Sequence, residues 1–180
     1  HTGLSVTGVQ TCALPISVYQ IDDGILVISG GRVRLVTGGD EITADKQIEY
    51  WEKKQMAVAR GNALAVRKGK RLRADVLAAY FRVDKNGENK LYRVDAFDRV
   101  KIVTDKSTAT SNRAVYNVES GIATLTGSVK LVRGNSVLTG CSAEVNLNSG
   151  VSKIFSCPAT TGGPRKRAQG VLRLNKKKAK

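Results

Sequence analysis

Histidine is almost absent: the 180-residue chain has one, His1, at its first position. That excludes most imidazole acid–base catalysis and most zinc sites, which draw on histidine as base or ligand. Cysteine is scarce as well. Cys12, Cys141 and Cys157 form no CxxC pair and have no metal-site spacing. Cys141 and Cys157, 16 positions apart, are able to pair in an oxidising compartment, with two idle thiols as the equal alternative. No run approaches the roughly 18–20 consecutive apolar residues of a transmembrane helix. The start lacks the basic stretch and apolar run of a signal peptide. No nucleophile motif, Walker loop or dinucleotide fingerprint is present, and Gly38-Gly39 and Gly162-Gly163 read as turns. Nothing therefore points to an enzyme, and no cofactor is expected.

Acidic residues are the other shortage. Fifteen Asp and Glu face 30 Lys and Arg, a net charge of +15. Such a balance implies anionic partners: nucleic acid, a membrane surface or a phosphorylated glycolipid. From Arg165 to Lys180 there are eight basic and no acidic residues, which leaves 22 against 15, or +7, for residues 1–164. Residues 158–180 open with a Pro-, Thr- and Gly-rich stretch and read as a flexible basic tail, with Val171–Leu174 as one further edge strand. Residues 1–17 share no pattern with the rest and resemble translated adapter sequence. They read as non-native, so that a signal peptide would be missing and Cys12 would carry no meaning. One folded domain is expected over 18–157, a length that can bury a sizeable core.

What the chain does have is an internal repeat, with starts at Gly31, Gly61, Asp98 and Gly127. Eleven positions on come Ile42, Leu72, Ala109 and Leu138. Thirteen on come Ala44, Ala74, Ser111 and Gly140. Fourteen on come Asp45, Asp75 and Asn112, with Cys141 as the departure. Tyr50 and Tyr80 sit 19 on in the first two copies, and Tyr116 one position early in the third. After three of the starts polar and apolar residues alternate, in Arg32-Val33-Arg34-Leu35, Arg99-Val100-Lys101-Ile102 and Ser128-Val129-Lys130-Leu131. Period 2 is the signature of a strand with one buried face. Turn signals follow every 8–12 residues or so, the pattern of an all-β sandwich or roll.

The segments ITADKQIEY, ARGNALAVRKGKRLRADVLAAYF and GIATLTGSVKLVRGNSVLTGCSAEVNLNSG carry a resemblance over about 30–157. The chain resembles the LptA/OstA-like family of lipopolysaccharide export. The resemblance implies an open, twisted antiparallel β-jelly roll in the periplasm of a Gram-negative bacterium. It implies a carrier that takes the acyl chains of lipid A inside and leaves sugars and phosphates outside. It implies LptC-like inner-membrane and LptD-like outer-membrane partners, and head-to-tail self-association.

The apolar face that would become the lipid lining comprises Val33, Leu35, Ile42 and Ile48, then Met56, Val58, Leu72 and Leu91. It continues with Val100, Ile102, Leu125, Val129, Leu131 and Leu138. The bland alternative for each is a closed core. Arg67, Lys68, Lys70, Arg71 and Arg73 cluster around Gly69 as anionic head-group candidates, or as a solvated hairpin tip. The recurring Asp45 and Asp75 suit turn or strand-end hydrogen bonding, since catalytic carboxylates would have to converge on one bond. Two other readings stand: a basic β-barrel that binds nucleic acid, and a ligand-free β-repeat scaffold. Nucleic-acid binding is not expected, because the alternating runs set bases opposite aliphatics rather than beside aromatics.

Overall fold

The computed structural model describes residues 16–20, 24–37, 39–157 and 169–171. Among the described residues thirteen strands join in one sheet, and every pairing is antiparallel. They are β1 (Ile16–Gln20), β2 (Ile25–Ser29), β3 (Val33–Thr37), β4 (Asp40–Ala44), β5 (Gln47–Trp51), β6 (Met56–Arg67) and β7 (Lys70–Val83). Then come β8 (Asn89–Val103), β9 (Thr108–Asn117), β10 (Ile122–Arg133), β11 (Ser136–Asn146), β12 (Ser152–Phe155) and β13 (Gln169–Val171). The order is β1-β2-β5-β6-β7-β8-β9-β10-β11-β12, with β3-β4 joined to β6 and β13 to β11. A single 3-10 turn, Glu52–Lys54, is the only helical element among the described residues. β1 begins two residues before the boundary expected at residue 18. The rest of the supposed non-native segment, with Cys12, and most of the basic tail lie outside the described residues. A short strand is present at Gln169–Val171, and the remainder of the expected last edge strand, 172–174, lies outside the described residues.

The long strands each serve two half-sheets. β6 pairs β5 through Met56–Arg60, then β4 through Leu64–Val66. Between these stretches Gly61 and Asn62 both have positive φ, and the register slips. The same device recurs at Asp98-Arg99 and at Gly127-Ser128. Paired residues in this region make a bulge that bends a strand sharply. Those corners are the repeat starts, so the repeat is a repeat of bends. β2, β5 and residues 56–60, 76–83, 89–97, 113–117, 122–126 and 142–146 form the first half-sheet. β3, β4 and residues 63–67, 70–74, 100–103, 108–111, 129–133 and 136–140 form the second.

The residue fourteen places after each start fastens the next corner. The Asp45 N–H donates to the Gly61 carbonyl at 2.8 Å, and Asn62 Nδ2 donates to Asp45 Oδ2 at 3.0 Å. Arg99 Nε donates to Asp75 Oδ1 at 2.8 Å. Asn112 packs so closely over Gly127 that a Cβ there would meet its Nδ2 at 2.8 Å. After the fourth start no further corner follows, and the position holds Cys141, disulfide-bonded to Cys157 across a Cα–Cα distance of 4.9 Å.

Inside the bend, side chains stand in registered rows. In the second half-sheet Leu35, Ile42, Ala65, Leu72, Ile102, Ala109, Leu131 and Leu138 lie side by side. In the first, Ile48, Ala59, Leu77, Ala96, Ala114, Leu125, Ala143 and Ile154 do the same. Ile48, Leu77, Val100, Leu125 and Val129 are the largest fully buried side chains.

Two expectations need correction. Met56 and Val58 share rows with Trp51 and Tyr80 and with Glu49 and Asp95, on the outer face. In the run Met56-Ala57-Val58-Ala59 the small alanines are inside, Ala59 between Ile48 and Leu77 and Ala57 beside Tyr50. The tyrosines, too, are out of step. Tyr50 and Tyr116 fall in the interior row with Ala79, whereas Tyr80 is one residue over, on the outer face.

Leu125→Ala should cost about 2–5 kcal/mol, the range for an enclosed leucine. Ile122→Ala, on the outer face of the same strand, should cost about 0.5 kcal/mol or less. Urea denaturation of the two variants compares them directly.

Candidate functional site

The corners hold the two half-sheets together along one side. On the opposite side, where the strands end, they stand apart around an apolar cavity of about 180 Å³. Ile42, Ala65, Leu72 and Ile102 line it from the second half-sheet. Phe81, Leu91, Val94 and Tyr116 line it from the first, with Val118 and Leu147 just beyond the strand ends. A second cavity of about 630 Å³ shares Asp40, Arg67, Phe81, Leu91 and Val118 with it. A third of about 250 Å³ shares Lys70, Leu147 and Asn148. The central cavity, a groove between the half-sheets, therefore adjoins both others along the open side. It is apolar, whereas the flanking two are lined largely by polar and charged residues, among them Arg82, Asp84 and Lys90 in the one and Asp105 and Lys106 in the other.

The lip of the groove is cationic. The β6–β7 hairpin turns through Lys68-Gly69, both in the left-handed region, as a two-residue hairpin requires. This turn brings Arg67, Lys68, Lys70 and Arg71 to the central cavity. Lys70 Nζ crosses the gap and donates to Asn148 Oδ1 at 2.9 Å, tying one half-sheet to the other. Arg67 pairs with Asp40 at 3.2 Å. Burial pushes the Asp40 carboxyl above the usual carboxylate range, against the opposing pull of Arg67 and Lys68. Burial likewise raises the Tyr116 hydroxyl. Among the described residues no group of His, Cys, Asp and Glu is arranged to hold a metal ion.

The sequence candidates divide. Ile42, Leu72, Leu91 and Ile102 line the groove. Val33, Leu35, Ile48, Val100, Leu125, Val129 and Leu131 are buried in the core behind it, and Leu138 packs against that core. Arg73 turns away from the lip towards the corner, where it donates to Asn62 Oδ1 at 3.1 Å. The groove residues missed by the periodicity argument are chiefly Phe81, Val118 and Leu147. All three lie 20 positions after a repeat start, so the repeat held the signal that names them.

The outer face of the first half-sheet contradicts one argument from the sequence. There Trp51, Tyr80 and Phe97 do share a face with Arg60, Arg93 and Arg113. These arginines are engaged within the chain: Arg60 with Glu49, Arg93 with Asp95 and the Tyr80 ring, Arg113 over the Phe97 ring. In β3, β10 and the second half of β8 the bases do lie opposite the aliphatics, as the alternation indicates.

A bent antiparallel sheet, fastened at one side and parted at the other around an apolar groove, defines an open β-jelly roll. Residues 22–151 match the family described as LptA/(LptD N-terminal domain) LPS transport protein, and the chain belongs to that family. No curated protein matches it in sequence. Among solved structures it is similar to LptH of Pseudomonas aeruginosa, described as the LptA-homologous periplasmic component of the conserved lipopolysaccharide transport device. The TM-score is 0.60 and the identity 19%, over 75% of this chain and 95% of that one. At that identity the likeness establishes the shared fold.

The disulfide closes a loop of 16 residues. Cys141→Ser with Cys157→Ser should lower stability by about 3 kcal/mol, the value for a loop of this size. Thermal unfolding with and without reductant should show the same loss in the parent chain and none in the double variant.

Proposed function

We propose that this chain is a non-enzymatic carrier that receives lipopolysaccharide in the periplasm and passes it towards the outer membrane. The observation that carries the reading is the groove: an apolar channel between two half-sheets with four basic side chains at its lip. Acyl chains would enter it and the phosphates of lipid A would meet Arg67, Lys68, Lys70 and Arg71. Each methylene moved from water into such a lining is worth about 0.8 kcal/mol, so ten of them supply roughly 8 kcal/mol before ordering costs. Small and aliphatic walls suit flexible tails, which must slide as well as bind. Passage needs no covalent step. Inner-membrane LptC-like and outer-membrane LptD-like partners, with self-association end to end, complete the proposal.

Nucleic-acid binding is the second reading, favoured by the arginines and aromatics on the outer face. The engagement of those arginines with Glu49, Asp95 and the rings counts against it. The ligand-free scaffold reading must explain why the groove is left open, since close packing would stabilise a mere scaffold.

Lipopolysaccharide binding, measured with a DNA oligomer as competitor at low and high salt, separates these readings. A carrier should retain the lipid at high salt and in the presence of DNA, because hydrophobic burial is not screened. Binding to both anions that disappears with salt would mean that only the basic surface acts. Ala65→Trp, between Ile42 and Leu72 in the interior row, should lower lipid affinity at least about tenfold by filling the groove, each tenfold being roughly 1.4 kcal/mol.

Asp40 sets the pH dependence. Its folded pKa lies above the unfolded one, so the ionised carboxyl costs stability above the folded pKa. That cost is gone below the unfolded pKa. Protonation also frees Arg67 for an anionic ligand. Lipid affinity should therefore rise as pH falls from neutral into the carboxylate range, and Asp40→Asn should have raised affinity and flatten the profile.

A further inference from the structure

The cavity of about 630 Å³ beside the groove owes its existence to an irregularity in the repeat. The second copy runs 37 positions, from Gly61 to Asp98, where the first runs 30, from Gly31 to Gly61. The added length is in the β7–β8 hairpin. Beyond the interior pair Phe81–Leu91 that hairpin continues through Arg82–Lys90 and Val83–Asn89. It therefore extends past the central cavity and forms a wall of the larger one. Its turn is braced from within, since the Asn86 and Glu88 N–H groups donate to Asp84 Oδ1 at 2.8 and 3.0 Å.

A bulge sits at the base of this wall. Tyr80 pairs Arg93 while Phe81 pairs Leu91, which leaves Tyr92 as the extra residue. Bulges re-aim side chains, and Tyr92 lines the cavity, with the Arg82 guanidinium 5.5 Å from its ring centroid.

The charge of the cavity is unlike that of the basic lip. Four carboxylates, Asp40, Asp84, Glu88 and Glu119, face three cations. Each cation already has a carboxylate: Arg67 has Asp40 at 3.2 Å, Lys90 has Asp84 and Arg82 has Glu119. A phosphate entering there would meet a surplus of its own sign, which opposes binding. At the lip, by contrast, Lys68 and Arg71 make no ion pair among the described residues. The groups of the cavity that make no side-chain hydrogen bond among the described residues are the Glu88 carboxylate, the Asn89 amide and the Tyr92 hydroxyl. They offer an acceptor, a mixed donor and acceptor, and a hydroxyl beside an apolar ring. Sugars present the matching chemistry: hydroxyls that both donate and accept, and C–H faces that pack on aromatic rings. The volume also falls within the roughly 300–1,000 Å³ of small-ligand sites.

We infer that the cavity under the β7–β8 hairpin is a saccharide subsite for neutral sugar residues, an inference that rests on the carrier reading for the lipid to which those sugars belong. Acyl chains occupy the central groove, phosphate stays at Lys68 and Arg71, and sugar lies against Glu88, Asn89 and Tyr92. The opposite flank has the reverse balance, Lys70 and Lys106 against Asp105. The glycolipid then lies along the open side in one orientation, with its sugar end towards the β7–β8 hairpin.

Backbone amide NMR of the full chain tests this with two probes. N,N′-diacetylchitobiose is a neutral disaccharide without a tail, and dodecyl phosphate is a tail and an anion without a sugar. The disaccharide should shift the amides of residues 84–89 and leave those of 68–71 in place, and dodecyl phosphate should do the opposite. Glu88→Ala combined with Asn89→Ala, both exposed, should weaken the disaccharide at least about fivefold, the scale of one lost hydrogen bond. Binding of dodecyl phosphate should be unchanged in that variant. Tyr92→Leu should weaken the disaccharide similarly, and the double variant decides the case if Tyr92→Leu does not fold. No disaccharide shift at 84–89, or a shift equally strong in the double variant, would overturn the inference and leave the carrier reading standing if dodecyl phosphate still binds. A disaccharide that binds at 84–89 while dodecyl phosphate fails to bind would support the subsite and count against the carrier.

Discussion

The paired left-handed residues at Gly61-Asn62, Asp98-Arg99 and Gly127-Ser128 are the constraint on which the rest depends. A strand of 10 to 15 residues would otherwise extend a flat, two-sided sheet with no core. Bending each strand at its middle folds the sheet against itself, and one hydrophobic face becomes an enclosed interior. The corners also fix where the groove must be. Two half-sheets joined along one side can part only along the other, where Phe81, Val118 and Leu147 end their runs.

That geometry assigns different work to similar residues. Beside the corners each interior pair includes at least one small residue: Val33 with Ala44, Ala63 with Ala74, Val100 with Ser111 and Val129 with Gly140. Farther out the side chains grow to Leu72, Leu91 and Ile102, and still do not fill the gap. The polar tie from Lys70 to Asn148 spans what apolar contact leaves open.

Much of this was legible in the sequence. The alternation after three of the four repeat starts identified Val33, Leu35, Val100, Ile102, Val129 and Leu131 as inward-facing, since period 2 and burial on one face are the same statement. The β class, the repeat and the basic hairpin tip followed from equally local signals. Met56 and Val58 were misassigned because hydrophobicity ranks them above Ala57 and Ala59, while the interior places small residues on β6 beside the larger Tyr50, Ile48 and Leu77 of its neighbours. The tyrosine register failed because the first copy takes its corner with a full turn at Asp45-Lys46, where the later copies use a bulge. Whether the two half-sheets close or part was not legible at all. It depends on how eight or more strands coil together, which no single segment encodes.

The central claim is that acyl chains lie between the half-sheets and not on the outside. A photo-crosslinking side chain placed at Ile102 or Val118, inside the groove, and at Val115 or Thr124, on the outer face, tests it with lipopolysaccharide vesicles at high salt. The account predicts covalent lipid adducts from the two groove positions and none above background from the outer pair. Equal labelling of both faces, or labelling confined to the outer one, would contradict it.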